Sequence, residues 1–481
     1  MREAFKHQVS GSKFLKARKG AILADEMGLG KTRQEIDAIG NDNVDLHVIV
    51  CPASLKLNWK REILMVYPEE GVYVSGGKQP FNGKLDAWYI VNYDQLGKHV
   101  GVILDSGKFT LTGDEAHYIK GNSARTKYFM ILADAAARVH LLTGTPVLNR
   151  PVELFNLLKA IRHPVAKLKG KYAERYCGAV PMARIRDKLN NRHFIVHRSQ
   201  AFGFMHDRSQ YQVMFYVDMR GATNLGELKE QIAGSFLRRT KKEVMDLPEK
   251  IETMVPVELK PAWRKKYASA FDDYLDFLSS NPMEGKNLDN IMLARHMVEL
   301  QKLKQVCSEA KIDAVTEAIE DAVEQGEKVV VFTQYTKTLM DLADRVGRLG
   351  IVTLQGSTSQ DRRQAAVDSF QSDEKVRVFI GNIKAAGIGI TLTASTQVIF
   401  ADLDWTPAVH DQAADRCHRI GQTGTVNVRY FFVPDSVEED VLEMLAQKRE
   451  VITAILEGGD VHVERSAVKE VIDRLSTRAS K

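Results

Sequence analysis

Ala24-Asp25-Glu26-Met27-Gly28-Leu29-Gly30-Lys31-Thr32 decides how this chain is read. The apolar run Ala21 to Ala24 predicts a short strand, and Gln34, Ile36 and Ile39 follow at helical spacing. A glycine-rich turn between a strand and a helix is what a phosphate-binding loop requires. Glycines let backbone N–H groups close around phosphates, at a helix N-terminus that already favours anions. Lys31 would then reach the β- and γ-phosphates, and the Thr32 hydroxyl would ligate Mg²⁺. The usual spelling opens such a loop with Gly; here Asp25 stands in that place. By itself the stretch is also readable as a surface turn beside a lysine.

Two further pieces complete a site of this kind. Asp114-Glu115-Ala116-His117 follows the candidate strand Phe109 to Thr112, and carboxylates at a strand end are the usual second half. Asp114 would hold Mg²⁺ through water, while Glu115 would orient and deprotonate the attacking water. An acidic turn is the plainer reading, and Thr112-Gly113 is too polar for a regular buried strand. Near the other end, Gln412-Ala413-Ala414-Asp415-Arg416-Cys417-His418-Arg419-Ile420-Gly421-Gln422 places Arg416 and Arg419 three apart, on one face of a helix. Paired guanidinium groups suit a γ-phosphate gathering charge. The alternative is a solvated basic face.

The 481 residues exceed one ordinary core. Hydrophobic residues at 44% and charged residues at 27% exclude a disordered chain. A net charge of +5 permits a nucleic-acid partner without demanding one. No apolar run has membrane-spanning length, and Met1 to Lys6 has no signal-peptide pattern. Cys51, Cys177, Cys307 and Cys417 lie far apart, which speaks against zinc or disulfides and for a reducing compartment. That compartment is the cytoplasm or nucleoid of a bacterial or virus-infected cell, or the nucleus if the source is eukaryotic.

Alternation of apolar runs with helical patterns predicts two parallel α/β units. Besides the strands named, the first holds His47 to Cys51, Ala87 to Asn92 and Val139 to Leu142. The second holds Val329 to Phe332, Ile351 to Leu354, Val376 to Ile380, Gln397 to Phe400 and Asn427 to Val433. Leu154 to Gln325 reads mostly helical. Ser436 with Glu439 forms a capping box that opens a last helix. The expected division is 1–153 for an ATP-binding lobe and 154–325 for helical insertions with the end of that lobe. Residues 326–456 make a second lobe with its bracing helix, and 457–481 a charged tail.

At these residues the chain resembles the Swi/Snf family of superfamily-two helicase-like ATPases, from about Phe5 to Leu456. That family spells its phosphate loop Ala-Asp-Glu-Met-Gly-Leu-Gly-Lys-Thr, which accounts for Asp25. Gln8 matches the adenine-reading motif, and Cys51-Pro52 to Asn58-Trp59 the next one. Leu142-Thr143-Gly144-Thr145-Pro146 with Asn149 looks like the motif coupling hydrolysis to nucleic-acid contact. Phe236-Leu237-Arg238-Arg239-Thr240-Lys241-Lys242-Glu243-Val244 is similar to a segment peculiar to the family. Phe332-Thr333-Gln334-Tyr335, Gln355-Gly356-Ser357, Ala385 to Leu392 and Trp405-Pro407 match in order.

The resemblance implies two RecA-like parallel-sheet lobes facing across a cleft, with helical insertions between them and a C-terminal bracing helix. It implies ATP and Mg²⁺ as cofactors, held by Gln8, by Asp25 through Thr32, and by Gly387, Gly389 and Gln412. Arg416 and Arg419 would complete the site from the second lobe. Asn224-Leu225-Gly226-Glu227-Leu228 is similar to the branch that includes annealing helicases. The resemblance shows no zinc or chromatin-reading module, which implies a minimal bacterial or viral motor acting on double-stranded or forked DNA. Two rival functions stay open: a strand-separating helicase, and an ATP-gated clamp that does not travel.

Arg162 to Arg208 carries eleven Lys or Arg against three acids. Arg184, Arg186 and Lys188 are candidates for a face that tracks the phosphate backbone; a solvated basic face is the alternative. Arg238 and Arg239 are further nucleic-acid candidates, and with Lys241 and Lys242 they are also readable as lobe bridges or solvated charges.

Overall fold

The computed structural model describes residues 3–76, 87–146, 150–190, 192–219, 221–280, 290–387, 389–457 and 471–475. Asn149, Ile388 and most of the expected tail lie outside the described residues.

The first part of the chain contributes β1 (Gly20–Leu23), β2 (Leu46–Cys51), β3 (Gly71–Val74), β4 (Ala87–Asn92), β5 (Phe109–Asp114) and β6 (Arg138–Leu142). Next come β7 (Val180–Asp187), β8 (Arg192–His197), β9 (Tyr211–Asp218), β10 (Phe236–Leu237) and β11 (Lys250–Pro256). The last five are β12 (Val329–Thr333), β13 (Ile351–Leu354), β14 (Val378–Asn382), β15 (Gln397–Phe400) and β16 (Val426–Phe432). One sheet runs β10-β1-β6-β5-β2-β4-β3 and a second β11-β16-β15-β12-β14-β13. Every pairing in both is parallel.

Parallel sheets need cover on both faces, which is why their strands read as unbroken apolar runs. Alternate residues of β2 feed opposite cores: Val48 and Val50 on one side, Ile49 and Cys51 on the other. In the second sheet Val330 and Phe332 face one way, Val329 and Val331 the other. Each such side chain, fully withdrawn from water, contributes about 1.5–3 kcal/mol.

Three expectations change. β5 is regular through Thr112 to Asp114, because the buried hydroxyls are satisfied: Thr112 Oγ1 donates to Glu35 Oε1 at 2.6 Å, and Thr110 Oγ1 lies 3.0 Å from His47 Nδ1. The stretch 154–325 is helical only in part. Within it, β7, β8 and β9 make a separate antiparallel sheet in the order β8-β7-β9, while β10 and β11 complete the two main sheets. The alternation Ala183-Arg184-Ile185-Arg186 has the period of a strand, not of a helix. The third change concerns Arg416 and Arg419 and is described with the site.

The remaining helices of that stretch join one lobe or the other. Leu154, Tyr172, Leu225 and Leu228 enter the first core, and Tyr274, Leu300, Leu303 and Cys307 the second. The last helix, Val437–Glu457, begins where Ser436 Oγ accepts from Glu438 N at 3.1 Å. It buries Val437, Val441 and Met444 in the second lobe, and its Val451 reaches the first lobe's core.

Candidate ATP site and interlobe cleft

The loop after β1 has the backbone a phosphate cradle needs. Gly28 and Gly30 take φ of 86° and 70°, a region costly for any residue with a Cβ, and Gly30 caps the helix Lys31–Ile39. That helix is pinned beneath the loop by Glu35, which is fully buried and lies 2.9 Å from His140 Nδ1 on β6. Gln8 is packed against the loop, since a Cβ on Gly30 would fall 2.2 Å from Gln8 Nε2. Lys31 Nζ donates to the carbonyls of Asp25 at 2.8 Å and Glu26 at 3.2 Å. Burial lowers its pKa, opposed by the carboxylates of Glu115, Asp25 and Asp114. A half-buried ammonium whose hydrogen bonds go to carbonyls is suited to take an anionic phosphate.

Asp25 occupies the place of the usual glycine because it has a different partner. Arg239 grips it from both ends, Nε to Oδ1 at 3.0 Å and Nη2 to Oδ2 at 2.5 Å, and Asp25 is wholly buried. Arg239 also donates to His7 O at 2.7 Å and Gln34 Oε1 at 2.8 Å. The Arg239 guanidinium, a nucleic-acid candidate by sequence, here ties the phosphate loop to the chain after β10. Arg238 donates to Ala24 O at 3.3 Å, at the root of the same loop. Lys241 bridges the lobes. Its Nζ lies 2.6 Å from both Asp415 Oδ1 and His418 O across the cleft, while its N–H donates to Glu26 Oε2.

At the end of β5, Trp59 Nε1 donates to Asp114 Oδ2 at 2.7 Å and Glu115 N to Asp114 Oδ1 at 2.9 Å. Glu115 itself has a φ of 51°, so the chain reverses there and its carboxylate turns toward the second lobe. Burial, then the neighbouring Glu115 charge, pushes the Asp114 carboxyl up to about 7. Burial also works against the Glu115 carboxylate, but His117, then Lys31 and Arg416, hold its pKa below the ordinary value. The two shifts run in opposite directions, so Asp114 is the more readily protonated of the pair and Glu115 is favoured in the ionised form a general base needs.

The second lobe closes over this point. Gln412 Nε2 donates to Glu115 Oε1 at 3.3 Å. Arg416 and Arg419 do not lie on the helix Pro407–Ala414, as their spacing implies, but in the turns just beyond it. There Arg416 N and Cys417 N bond three residues back, to Ala413 O and Ala414 O, and the helix tightens and stops. Both guanidinium groups still converge, since each donates to Ile390 O, at 3.4 and 3.3 Å. Burial, then Arg419, lowers the Arg416 pKa to about 10. Arg419 also abuts the phosphate loop, its Cβ 3.0 Å from where a Gly28 side chain would begin. Gly389, with φ of 76°, meets Leu55 of the first lobe, whereas Gly387 only closes the short helix Ile383–Ala386.

Lys31, Asp114, Glu115, Gln412, Arg416 and Arg419 are therefore drawn to one seam. Thr32 follows Lys31 in the same first turn. A divalent cation fits the chemistry here, because a buried carboxyl whose pKa is raised by burial and by its acidic neighbour gains from a cation. Trp59 was not assigned to this seam from sequence, and Lys241 only as one of four residues readable as lobe bridges. Their signal lay in the family-specific segments, whose roles depend on contacts remote in the chain.

Beside the seam, a cleft of about 520 Å³ opens between the lobes. Ser54, Asn92, Tyr93 and Tyr118 line it from the first lobe, and Thr358 and Lys384 from the second. Gln360 Nε2 bridges it to Ser54 O at 3.0 Å. Tyr93 stacks on Tyr118, with ring centroids 5.3 Å apart, and donates to Asp114 O at 2.8 Å.

Two parallel-sheet lobes with a phosphate loop, paired acids and facing arginines define a helicase-like ATPase. The chain belongs to the SNF2-related family: residues 7–312 match the SNF2-related domain, and residues 310–421 the helicase conserved C-terminal domain. It is 32% identical over 467 residues to the DNA annealing helicase and endonuclease ZRANB3 of Bos taurus, covering 94% of this chain and 40% of that protein. A SWI/SNF-related matrix-associated actin-dependent regulator of chromatin subfamily A-like protein 1 homolog of Caenorhabditis elegans is 30% identical, over 93% of this chain and 61% of that one. An uncharacterized ATP-dependent helicase of Mycoplasma pneumoniae is 30% identical, with coverages of 95% and 42%. The chain thus spans about two fifths to three fifths of the length of these relatives. Among solved structures, the Sulfolobus solfataricus SWI2/SNF2 ATPase core in complex with dsDNA is 24% identical, at a TM-score of 0.41, over 99% of this chain and 96% of that one. No described helix is long and apolar enough to cross a membrane.

Proposed function

We propose that this ATPase is stimulated by DNA, travels along the duplex and rewinds or remodels forked DNA. One observation carries the reading. The strand end Asp114-Glu115 faces the phosphate loop and Gln412 on one side, and through Tyr93 it faces the cleft on the other. A strand lying in the cleft would press on Tyr93 and Tyr118, and so bear on the acids that attack ATP.

In this reading Lys31 and the loop hold the phosphates, with Gln8 beside the base. Thr32 and Asp114 would hold Mg²⁺, which when bound supplies charge stabilisation to the β- and γ-oxygens. Glu115 takes the proton of the attacking water, and Gln412 positions that carboxylate. Arg416 and Arg419 neutralise charge developing on the γ-phosphate. ATP draws the lobes together and hydrolysis releases them, a gating cycle that moves one lobe along the strand relative to the other. Relatives named as annealing helicases support the fork-rewinding part.

The test follows ATP turnover with duplex, single-stranded and forked DNA, alongside triplex displacement and strand release from a tailed duplex. Duplex-stimulated turnover with triplex displacement and little strand release is the expected pattern. Efficient release of single strands would make the protein a separating helicase. ATP-dependent binding with no displacement in either assay would make it a clamp.

A further inference from the structure

The sheet β8-β7-β9 stands apart from both lobe sheets, and its two faces are unlike. Ala183 and Ile185 of β7 point to one side, buried with Ala201, and the short helix Arg198–Met205 lies over them with Phe204. Residues directly opposite on paired strands share a face. Register therefore puts Arg184 and Arg186 on the other side with Met214 and Gln212 of β9, and Met182 with Tyr216. Among the described residues these strands pack chiefly on one another and on Arg198–Met205. On this second face Met214 is 57% exposed and Arg186 and Gln212 are exposed, while Met182, Arg184 and Tyr216 are half-buried; on the first face the end of β9 is exposed too, at Phe215 and Val217.

Its charge is one-sided. The Asp187 carboxylate accepts from Leu189 N and Asn190 N, and Asp207 from Ser209 N and Gln210 N, so both are held in turns. Asp218, at the root of β9, is the one carboxylate on the second face among the described residues. What the face offers is arginine beside an aromatic ring and a thioether, on a flat support. A duplex hides the faces of its bases and would use the arginines alone. A single strand presents phosphates and unstacked bases together, and bases stack on aromatic side chains whatever their sequence.

We propose that this second face binds a single strand of DNA, with Arg184 and Arg186 on phosphates and Tyr216 and Met214 against bases. The proposal rests on the reading of the protein as a DNA motor, and deepens it by assigning the unpaired arm of a fork to this sheet.

Anisotropy of a labelled oligothymidylate and of a blunt duplex, each titrated with the full chain without nucleotide, tests it. Tyr216→Ala should weaken oligothymidylate binding by roughly 5- to 150-fold, the range for loss of one stacked base, and leave the duplex affinity within about twofold. Tyr216→Phe keeps the ring and should restore binding, which separates stacking from misfolding. Arg184→Glu with Arg186→Glu should flatten the salt dependence of oligothymidylate binding by about 0.7 in log–log slope per lost phosphate contact. Equal losses on both DNAs, or an unchanged slope together with full binding by Tyr216→Ala, would overturn the proposal. Failure of the motor reading is seen separately, as a parent protein whose ATP turnover ignores duplex.

Discussion

Lys241→Met removes one charge from the seam and little volume, and its effect follows from the bonds lost. Lys241 is 6% exposed and makes two charged hydrogen bonds across the cleft, each 2.6 Å, to Asp415 and to His418 O. Burial lowers its pKa, and Asp415 opposes that shift, so the ammonium depends on the closed seam for its partner. Hydrogen bonds to charged groups are worth about 1.5–3 kcal/mol each. Stranding a buried charge inside a fold costs about 3–5 kcal/mol, but here the lobes can part and rehydrate Asp415. The closed arrangement should therefore lose about 2–4 kcal/mol relative to the open one. Each 1.4 kcal/mol is about tenfold in population, so closure should fall by roughly 30- to 1,000-fold. ATP turnover should drop correspondingly once closure limits it, while the melting transition of each lobe stays in place. Lobe separation is read by energy transfer between dyes at Leu57 and Met340, both exposed. Lys241→Met with Asp415→Asn should recover part of the loss, because no charge is then stranded. Parent-like turnover and dye distances in Lys241→Met would refute the bridge.

Other outcomes follow from the same contacts. Lys31→Ala should end turnover and leave thermal unfolding intact, since the amine serves bound phosphate; loss of the transition would mean a structural role. Glu115→Gln should bind a fluorescent ATP analogue and fail to hydrolyse ATP, because an amide cannot take the proton; turnover near the parent rate would remove Glu115 from the chemistry. Arg416→Ala and Arg419→Ala should each lower kcat, by up to about 10³–10⁵, and a change confined to ATP affinity would break the trans-lobe assignment. Arg239→Ala strands the buried Asp25 carboxylate and should destabilise the first lobe by about 3–5 kcal/mol. Its denaturation midpoint should fall while the salt dependence of DNA binding stays unchanged; the reverse pattern would return Arg239 to the DNA.

The main strands and the phosphate loop were legible in the sequence because their signals are local. Buried parallel strands must be apolar on both faces, and Gly28 and Gly30 announce a backbone that other residues avoid. The same holds for the acids after β5, where a strand end and two carboxylates stand side by side. Partnership is not local. Nothing near Asp25 in the chain says that Arg239, more than two hundred residues on, makes the carboxylate affordable in a buried loop. The helical spacing of Arg416 and Arg419 was real, yet the helix stops at Ala414, and only folding against Ile390 brings the two side chains together. Likewise the basic stretch around Arg184 betrayed its charge but not its shape. Strand alternation there is short, and one face carries arginines in place of core residues, so pairing in space decided what periodicity alone left open. Local backbone preference and burial are thus written along the chain, whereas the pairing of charges and the sharing of a site between lobes exist only once distant segments meet.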